Sequence, residues 1–351
     1  MNASTMSRMV GGSLVLALAS GTATGQAVNW TGLGDGINWE DPSNWSGNAL
    51  PGPSDLVFTG GGGRTVFLSS DQELDAVRFT NGDNLVHTAG TLTIGTGGTR
   101  TESSLPEFGP GASSYSMSGT AAYNQTDNGR FIIGRQAGGT LNMADDTSLS
   151  NTGAIWFGMD GTFEGNITGN ASINSQGTIQ LARFASTSSV LRLSENTSVN
   201  ADGFFVMSDA PALSGDSLLE ITGSNVSFDA NGLFMREAAT LSFIADAGGI
   251  STLFIDGPGN LVDNGGGLNP QLLLDFAGFS FNQPITLIDM SAGPVNGNFR
   301  GLAEGAVVAG TGGLTITYQG GPDGFDVVLV PTPATTLLLA PATLMIARRR
   351  R

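Results

Sequence analysis

The chain has 351 residues, of which 53 are glycine and 13% are charged, about half the charged share usual in soluble proteins. Hydrophobic residues make up 40% of it, so the chain is not a disordered polar sequence. Apart from Arg8 near the start and four arginines at the end, nine arginines stand against 30 acidic residues, a net charge of −21. This charge argues against nucleic acid as a partner, and the composition favours short strands joined by tight turns.

Residues 1–27 have the pattern of a secretory leader. Arg8 supplies the positive charge at its start, and residues 9–19 form an apolar stretch that is too short to span a bilayer. Small residues, Gly25 and Ala27, stand at the −3 and −1 positions of a cleavage site. We therefore predict Sec-type export with cleavage after Ala27; an N-terminal core helix is the alternative.

Three of the four tryptophans, Trp30, Trp39 and Trp45, fall in one short segment. Exposed indole faces stack on sugars, so a glycan contact is one interpretation. Bulky aromatic side chains can also cover the first open coil of a solenoid. The turn-forming residues around Asp41 favour this second interpretation, because they would aim Trp45 inward. We predict a Trp-rich N-terminal cap over residues 28–60.

Glycines recur at similar turns along the middle of the chain, 24, 24, 26 and 29 residues apart. They are Gly129, Gly153, Gly177, Gly203 and Gly232. Before each of the last four, small polar residues alternate with single apolar ones. Alternation at period two indicates strands, and a repeat of roughly 20–30 residues is typical of a solenoid.

These features predict an all-β fold, a parallel β-helix with coils of 24–29 residues over 61–269 and capping strands over 270–329. Neighbouring coils would share one core, because a single coil cannot bury its apolar side alone. An antiparallel β-sandwich is the alternative, since period two does not distinguish the two folds.

The C-terminal residues 330–351 combine a proline-marked stop, an apolar run and a basic end. The prolines interrupt the preceding structure, and the run 334–347 predicts a short hydrophobic helix. Arginine side chains after it would hold the terminus on the cytoplasmic side of a membrane. The residues of the motif and of the basic end are Val330, Pro331, Thr332, Pro333, Ala334, Arg348, Arg349, Arg350 and Arg351.

This tail resembles the PEP-CTERM sorting signal of Gram-negative bacteria, which reads Val-Pro-Glu-Pro-Ala before an apolar helix and an arginine cluster. Thr332 stands where that family has glutamate. The resemblance implies recognition and removal of the tail by an exosortase, a membrane cysteine protease-transpeptidase. It also implies transient anchoring in the membrane, followed by release to the cell surface or the extracellular space.

The tryptophan segment resembles the opening of secreted, autotransporter-like β-repeat proteins of planctomycetes and related bacteria. In those proteins it precedes a β-solenoid, so the resemblance implies the same fold here. The residues that carry it are Trp30-Thr31-Gly32, Asn38-Trp39, Asp41-Pro42-Ser43-Asn44-Trp45 and Asp55-Leu56-Val57-Phe58.

Groups suited to catalysis or metal binding are few. His87 is the only histidine and there is no cysteine or lysine, so a Ser-His-Asp triad would have to use His87. Asp145 and Asp146 form the only adjacent aspartate pair, at a point where aspartate usually makes a turn. Residues 321–329 partly match a calcium-binding repeat, but in one copy, whereas such repeats share ligands in tandem. We predict no catalytic residue, metal centre or cofactor, with calcium as the alternative.

The sequence as a whole predicts an exported, non-enzymatic protein of the cell surface or extracellular matrix. Its predicted partners are exosortase-type sorting machinery in the membrane and exopolysaccharide outside the cell. The alternative is a glycan-binding adhesin, or a β-helix hydrolase or lyase that uses paired carboxylates on a polysaccharide.

Overall fold

The computed structural model describes residues 26–60, 62–79, 82–95, 107–108, 113–135, 138–183, 188–208, 215–261, 269–276, 278–279 and 281–332. The predicted leader up to residue 25 and the predicted hydrophobic helix 334–347 with the four final arginines lie outside these ranges. Within them the chain forms strands and one turn of 3-10 helix, Pro42–Asn44. No helix in this part of the chain is long and apolar enough to cross a membrane.

The strands, in chain order, are β1 (Ala27–Asn29), β2 (Leu56–Phe58), β3 (Thr65–Leu68), β4 (Gln72–Leu74), β5 (Ala76–Phe79), β6 (Asn84–His87), β7 (Thr91–Ile94), β8 (Glu107–Phe108), β9 (Ser113–Met117), β10 (Ala122–Gln125), β11 (Phe131–Ile133), β12 (Gly138–Met143), β13 (Ser148–Asn151), β14 (Ile155–Phe157), β15 (Thr162–Ile167), β16 (Ser172–Ser175), β17 (Ile179–Leu181), β18 (Ser189–Ser194), β19 (Ser198–Met207), β20 (Ser217–Thr222), β21 (Ser227–Met235), β22 (Ala239–Ile244), β23 (Leu253–Ile255), β24 (Gly259–Leu261), β25 (Gln271–Asp275), β26 (Ile285–Met290), β27 (Asn296–Gly297), β28 (Leu314–Gly320) and β29 (Asp326–Pro331).

From β3 onward each coil contributes one strand to each of three ladders, here named faces A, B and C in the order in which such a coil visits them. Face A stacks β3, β6, β9, β12, β15, β18, β20, β22 and β25. Face B stacks β4, β7, β10, β13, β16, β19, β21, β23 and β26. Face C stacks β1, β2, β5, β8, β11, β14, β17, β19, β21, β24 and β27, because β19 and β21 turn the corner and belong to both faces.

All pairings within the three faces are parallel, and they join residues one coil apart. Gly138 pairs with Thr162 on face A, and Ser148 pairs with Ser172 on face B, 24 residues later in both cases. This pattern is a parallel β-helix, as predicted. The antiparallel β-sandwich is excluded, because a sandwich pairs neighbouring strands of the sequence in opposite directions.

The alternation in the sequence sets which residues enter the core. On face B, β13, β16 and β19 place Leu149, Ile173 and Val199 inside, each at most 2% exposed, and point their polar neighbours outward. The inward side chains stack in register from coil to coil, so one hydrophobic cluster runs along the described solenoid. Full burial of such a side chain contributes about 1.5–3 kcal/mol.

The predicted turn glycines form a direct stack at the corner between faces B and C. The amide of Gly177 donates to the Gly153 carbonyl over 3.1 Å, and the amide of Gly203 donates to the Gly177 carbonyl over 3.2 Å. A Cβ on Gly153 would lie 1.9 Å from the Gly129 carbonyl oxygen, closer than any real contact. The glycines are therefore required by the close approach of successive coils.

The prediction for Gly232 was wrong by one position. Gly232 pairs with Phe204, and Asn231 takes the place in the stack that Gly203 holds one coil earlier. The corner contains residues 202 and 203 in β19 but only Asn231 in β21, so the register shifts there. Gly257 continues the stack, since a Cβ on it would lie 1.8 Å from the Asn231 carbonyl oxygen.

The two ends of the solenoid are closed differently. At the N-terminal end, Asn38 bridges to Phe67 and the Trp39 amide donates to the Phe67 carbonyl over 2.8 Å, so the tryptophan segment lies on the first coil. At the other end, β29 pairs antiparallel with both β26 and β28. The coils continue through β25–β27, so the boundary expected at residue 269 is one coil too early.

Substitution of Gly153 by alanine should destabilise the solenoid by about 1–3 kcal/mol, because the new methyl group has no space at the corner. A lower thermal midpoint by several degrees is the expected result. Gly52→Ala is the matched control, since a Cβ there would meet its nearest atom at 3.7 Å. Equal midpoints for the two variants would contradict the glycine stack.

Candidate functional site

The three N-terminal tryptophans pack on one another inside the cap. Trp30, Trp39 and Trp45 are 3%, 0% and 1% exposed. Their ring centroids lie 4.8 Å apart for Trp30 and Trp45 and 4.6 Å apart for Trp39 and Trp45, both in edge-to-face geometry. The Trp45 Nε1 also donates to the Trp39 carbonyl over 2.8 Å. Buried rings have no face open to a sugar, so the structure favours the cap and corrects the interpretation of these residues as glycan contacts.

The loop that carries Trp39 is held by the side chain of Asn44. Its Oδ1 accepts from the amides of Gly34 and Gly36, at 3.0 and 2.9 Å, and its Nδ2 donates to Asp35 over 2.7 Å. Backbone amides of Asn38 and Ile37 hold the pKa of Asp35 well below its usual range. This polar network stabilises the turns of the loop, as the turn-forming residues of the sequence indicated.

His87 lies in the core of the solenoid. It is fully buried on β6, and its Nδ1 lies 3.0 Å from the Tyr115 hydroxyl on the next coil. The two rings are stacked, with centroids 6.2 Å apart. Burial lowers the pKa of His87 to about 4 and raises that of Tyr115. A histidine in this position packs the interior and has no access to a substrate.

The candidate carboxylates are engaged in turns. Asp145 adopts a positive φ of 59° and accepts from the Gly119 amide over 2.8 Å, and Asp146 accepts from Asn170 over 2.8 Å. In the segment considered for calcium, Asp326 is buried and accepts from the Met290 amide over 3.0 Å. Across the described ranges, no group of three or more histidine, aspartate or glutamate side chains is placed so that it could hold a metal ion.

The predicted processing positions lie at the edges of the folded body. Ala27 is the first residue of β1 and pairs with Leu56. Val330 and Pro331 end β29, and the Thr332 hydroxyl donates to the Gly313 carbonyl over 2.8 Å. Pro333, Ala334 and the final arginines lie outside the described residues.

Face B presents two outward columns of small side chains, which are polar except for Ala122 and which recur once per coil, about every 4.8 Å. The alternation is visible in the sequence, but by itself it does not indicate a site. One column contains Thr91, Ala122, Ser148, Ser172, Ser198 and Ser227; the other contains Thr93, Asn124, Ser150, Asn174, Asn200 and Asp229.

The second column borders a groove of about 270 Å³, here named the face B groove, where face B approaches the glycine corner. It crosses β10, β13, β16 and β19. Its lining residues are all of polar types, and one of them is charged; they are Asn124, Gln125, Ser150, Asn151, Thr152, Asn174, Ser175, Gln176, Asn200 and Asp202. Thr152, Gln176 and Asp202 directly precede the corner glycines and line the groove. This position in the repeat could have indicated the groove, because each following glycine has no side chain to fill the space beside it.

Aspartates accumulate toward the C-terminal end of face B. Burial, together with the nearby charges of Asp256 and Asp202, raises the pKa of Asp229. Burial and the charges of Asp326, Asp323 and Asp256 likewise raise the pKa of Asp289. This end of the face therefore repels anions.

Face C carries a cation–π stack that sequence analysis missed. The guanidinium carbons of Arg130 and Arg183 lie 4.2 and 3.8 Å from the ring centroid of Trp156, which is 5% exposed. Each contact of this kind contributes about 0.5–2 kcal/mol. The stack links residues of three successive coils. In the sequence, the feature that could have indicated it is the position of Arg130 and Arg183 next to the apolar strands of face C.

No protein-family model, curated protein or solved structure matches this chain.

Replacement of His87 by glutamine should remove a pH-dependent loss of stability. The unfolded histidine has a pKa near 6.5 and the folded one about 4, so the unfolded chain binds the proton more tightly between these values. The wild-type protein then loses up to about 3 kcal/mol as the pH falls through this interval, and His87→Gln should not. Denaturant unfolding at several pH values measures the difference. Tyr115→Phe is the control that keeps the histidine and should keep the loss; the same pH dependence in His87→Gln would contradict the assignment.

Proposed function

We propose that this protein is exported by its leader, sorted through its C-terminal tail by an exosortase-type system, and displayed as a non-enzymatic component of the cell surface or extracellular matrix. The observation that carries the proposal is the position of the motif relative to the fold. Strand β29 ends at Pro331, the second residue of the Val-Pro-Thr-Pro-Ala motif. Cleavage near this point would leave the solenoid with all its coils.

The surface chemistry supports display in water and among glycans. Outward columns rich in serine, threonine and asparagine line face B. Without Arg8 and the four final arginines the chain has a net charge of −21, which keeps neighbouring molecules apart. Hydroxyl and amide groups of this kind exchange hydrogen bonds with water and with sugars without a large change in free energy.

The positions and contacts of the candidate catalytic side chains support a non-enzymatic role. His87 is packed in the core, and Asp145 and Asp146 hold turns between coils. Paired carboxylates of a glycosidase need to face one another across a bound sugar, about 5–9 Å apart. An enzyme built from Asp145 and Asp146 would first have to break these turn contacts.

Intact-mass analysis of the surface protein should show a chain that lacks the leader and Arg348–Arg351. A variant with all four final arginines changed to glutamine should keep its tail, because no positive charges then hold the end of the apolar segment on the cytoplasmic side of the membrane. Arg192→Gln is the control for arginine loss as such, since Arg192 is half-buried in the body and pairs there with Glu164 at 2.7 Å.

Surface protein that still carries Arg348–Arg351 would contradict the sorting proposal. Release of reducing ends or unsaturated products from a polysaccharide panel by the same full-length chain would contradict the non-enzymatic part alone. The two results are independent, so either part can fail without the other.

A further inference from the structure

We propose that the face B groove binds an uncharged, hydroxyl-rich polysaccharide chain laid along the solenoid axis. The inference rests on the proposed function, because such polymers surround a protein that is displayed outside the cell.

The groove offers hydrogen-bonding groups that the protein itself leaves open. Among the described residues, no side-chain hydrogen bond engages Asn124, Ser150, Asn174 or Asn200. On face A, by contrast, Asn166 donates to Asn142 over 3.2 Å, so a column of amides can pair with itself. The amides of Asn124, Asn174 and Asn200 therefore each keep both a donor and an acceptor, which matches a hydroxyl group.

The spacing of these groups suits a polymer. Asn124, Ser150, Asn174 and Asn200 are register partners on successive coils, so they recur about every 4.8 Å and span about 14 Å. One coil is close to the length of one sugar unit in an extended glycan. Successive units would therefore meet equivalent side chains.

The floor of the groove is fixed before any ligand binds. Asn151 accepts from the Gly153 amide over 3.0 Å and donates to the Ala154 carbonyl over 2.8 Å. The Ser175 hydroxyl donates to the Gly153 carbonyl over 2.8 Å. A site whose walls are already ordered loses little conformational entropy on binding.

Charge selects against acidic polymers. Asp202 is the one charged side chain in the groove lining, and Asp229 on the next coil lies within reach of its charge and of that of Asp256. No aromatic ring lines the groove, so affinity must come from several hydrogen bonds repeated along the chain. Neutral glycans fit this combination, and polyuronates do not.

The test compares Ser150→Tyr with Ser148→Tyr in the full-length chain. Both serines lie on β13 and both are half-buried and outward, but only Ser150 lines the groove. The probes are cellohexaose, laminarihexaose, mannohexaose and dextran, with polygalacturonate as the acidic comparison, and binding is measured by titration calorimetry. A triple variant, Asn124→Ala, Asn174→Ala and Asn200→Ala, removes the amides and adds no bulk.

At least one neutral probe should bind the wild-type protein and Ser148→Tyr equally, and Ser150→Tyr and the triple variant at least about tenfold more weakly. Four results would overturn the inference: no binding of any neutral probe, equal binding by Ser150→Tyr and Ser148→Tyr, full binding by the triple variant, or tighter binding of polygalacturonate. Thermal midpoints of the variants separate lost binding from lost folding. The sorting proposal is tested separately, by intact-mass analysis, so a failure to bind glycans would not contradict it.

Discussion

The structure depends on the close, in-register stacking of one coil on the next. Parallel backbone ladders on three faces hold equivalent residues of successive coils about 4.8 Å apart. At the corner between faces B and C, this approach leaves no space for a Cβ on Gly153 or Gly177. The same stacking turns single alternating residues into continuous columns, apolar inside and polar outside. The core and the outer surface are thus two consequences of one geometric constraint.

The alternation and the glycine spacing were enough to predict a parallel β-helix, because both are imposed by each coil locally. The shift at Gly232 was not predictable, since it depends on the loss of one corner residue in β21, which alters the register without changing the composition. The extra coil β25–β27 was also missed, because its corner between β26 and β27 lacks the stacked glycine: a Cβ on Gly293 would have no atom within 4 Å.

The site was harder to predict than the fold. The sequence made Trp30, Trp39 and Trp45 candidate glycan contacts because they are aromatic. In the structure, edge-to-face packing of the three rings on one another buries their surfaces. The face B groove arises from residues that look ordinary in the sequence, such as Ser150 and Asn174, and it becomes a feature once four coils are superposed. A solenoid therefore builds its binding surface by repetition, and single residues give little sign of it. An extended neutral polymer is the ligand that such a surface suits.

Engineered disulfides test the stacking register most directly, because the chain contains no cysteine of its own. Asn142 and Asn166 are register partners on face A, so cysteines at both positions should lie within disulfide reach and cross-link on oxidation. The pair Asn142→Cys and Glu164→Cys is offset by two residues, about 8 Å between Cα atoms, and should stay reduced. Mass analysis after mild oxidation distinguishes the two pairs. A cross-link in the offset pair, or none in the register pair, would contradict the coil-on-coil arrangement on which the account rests.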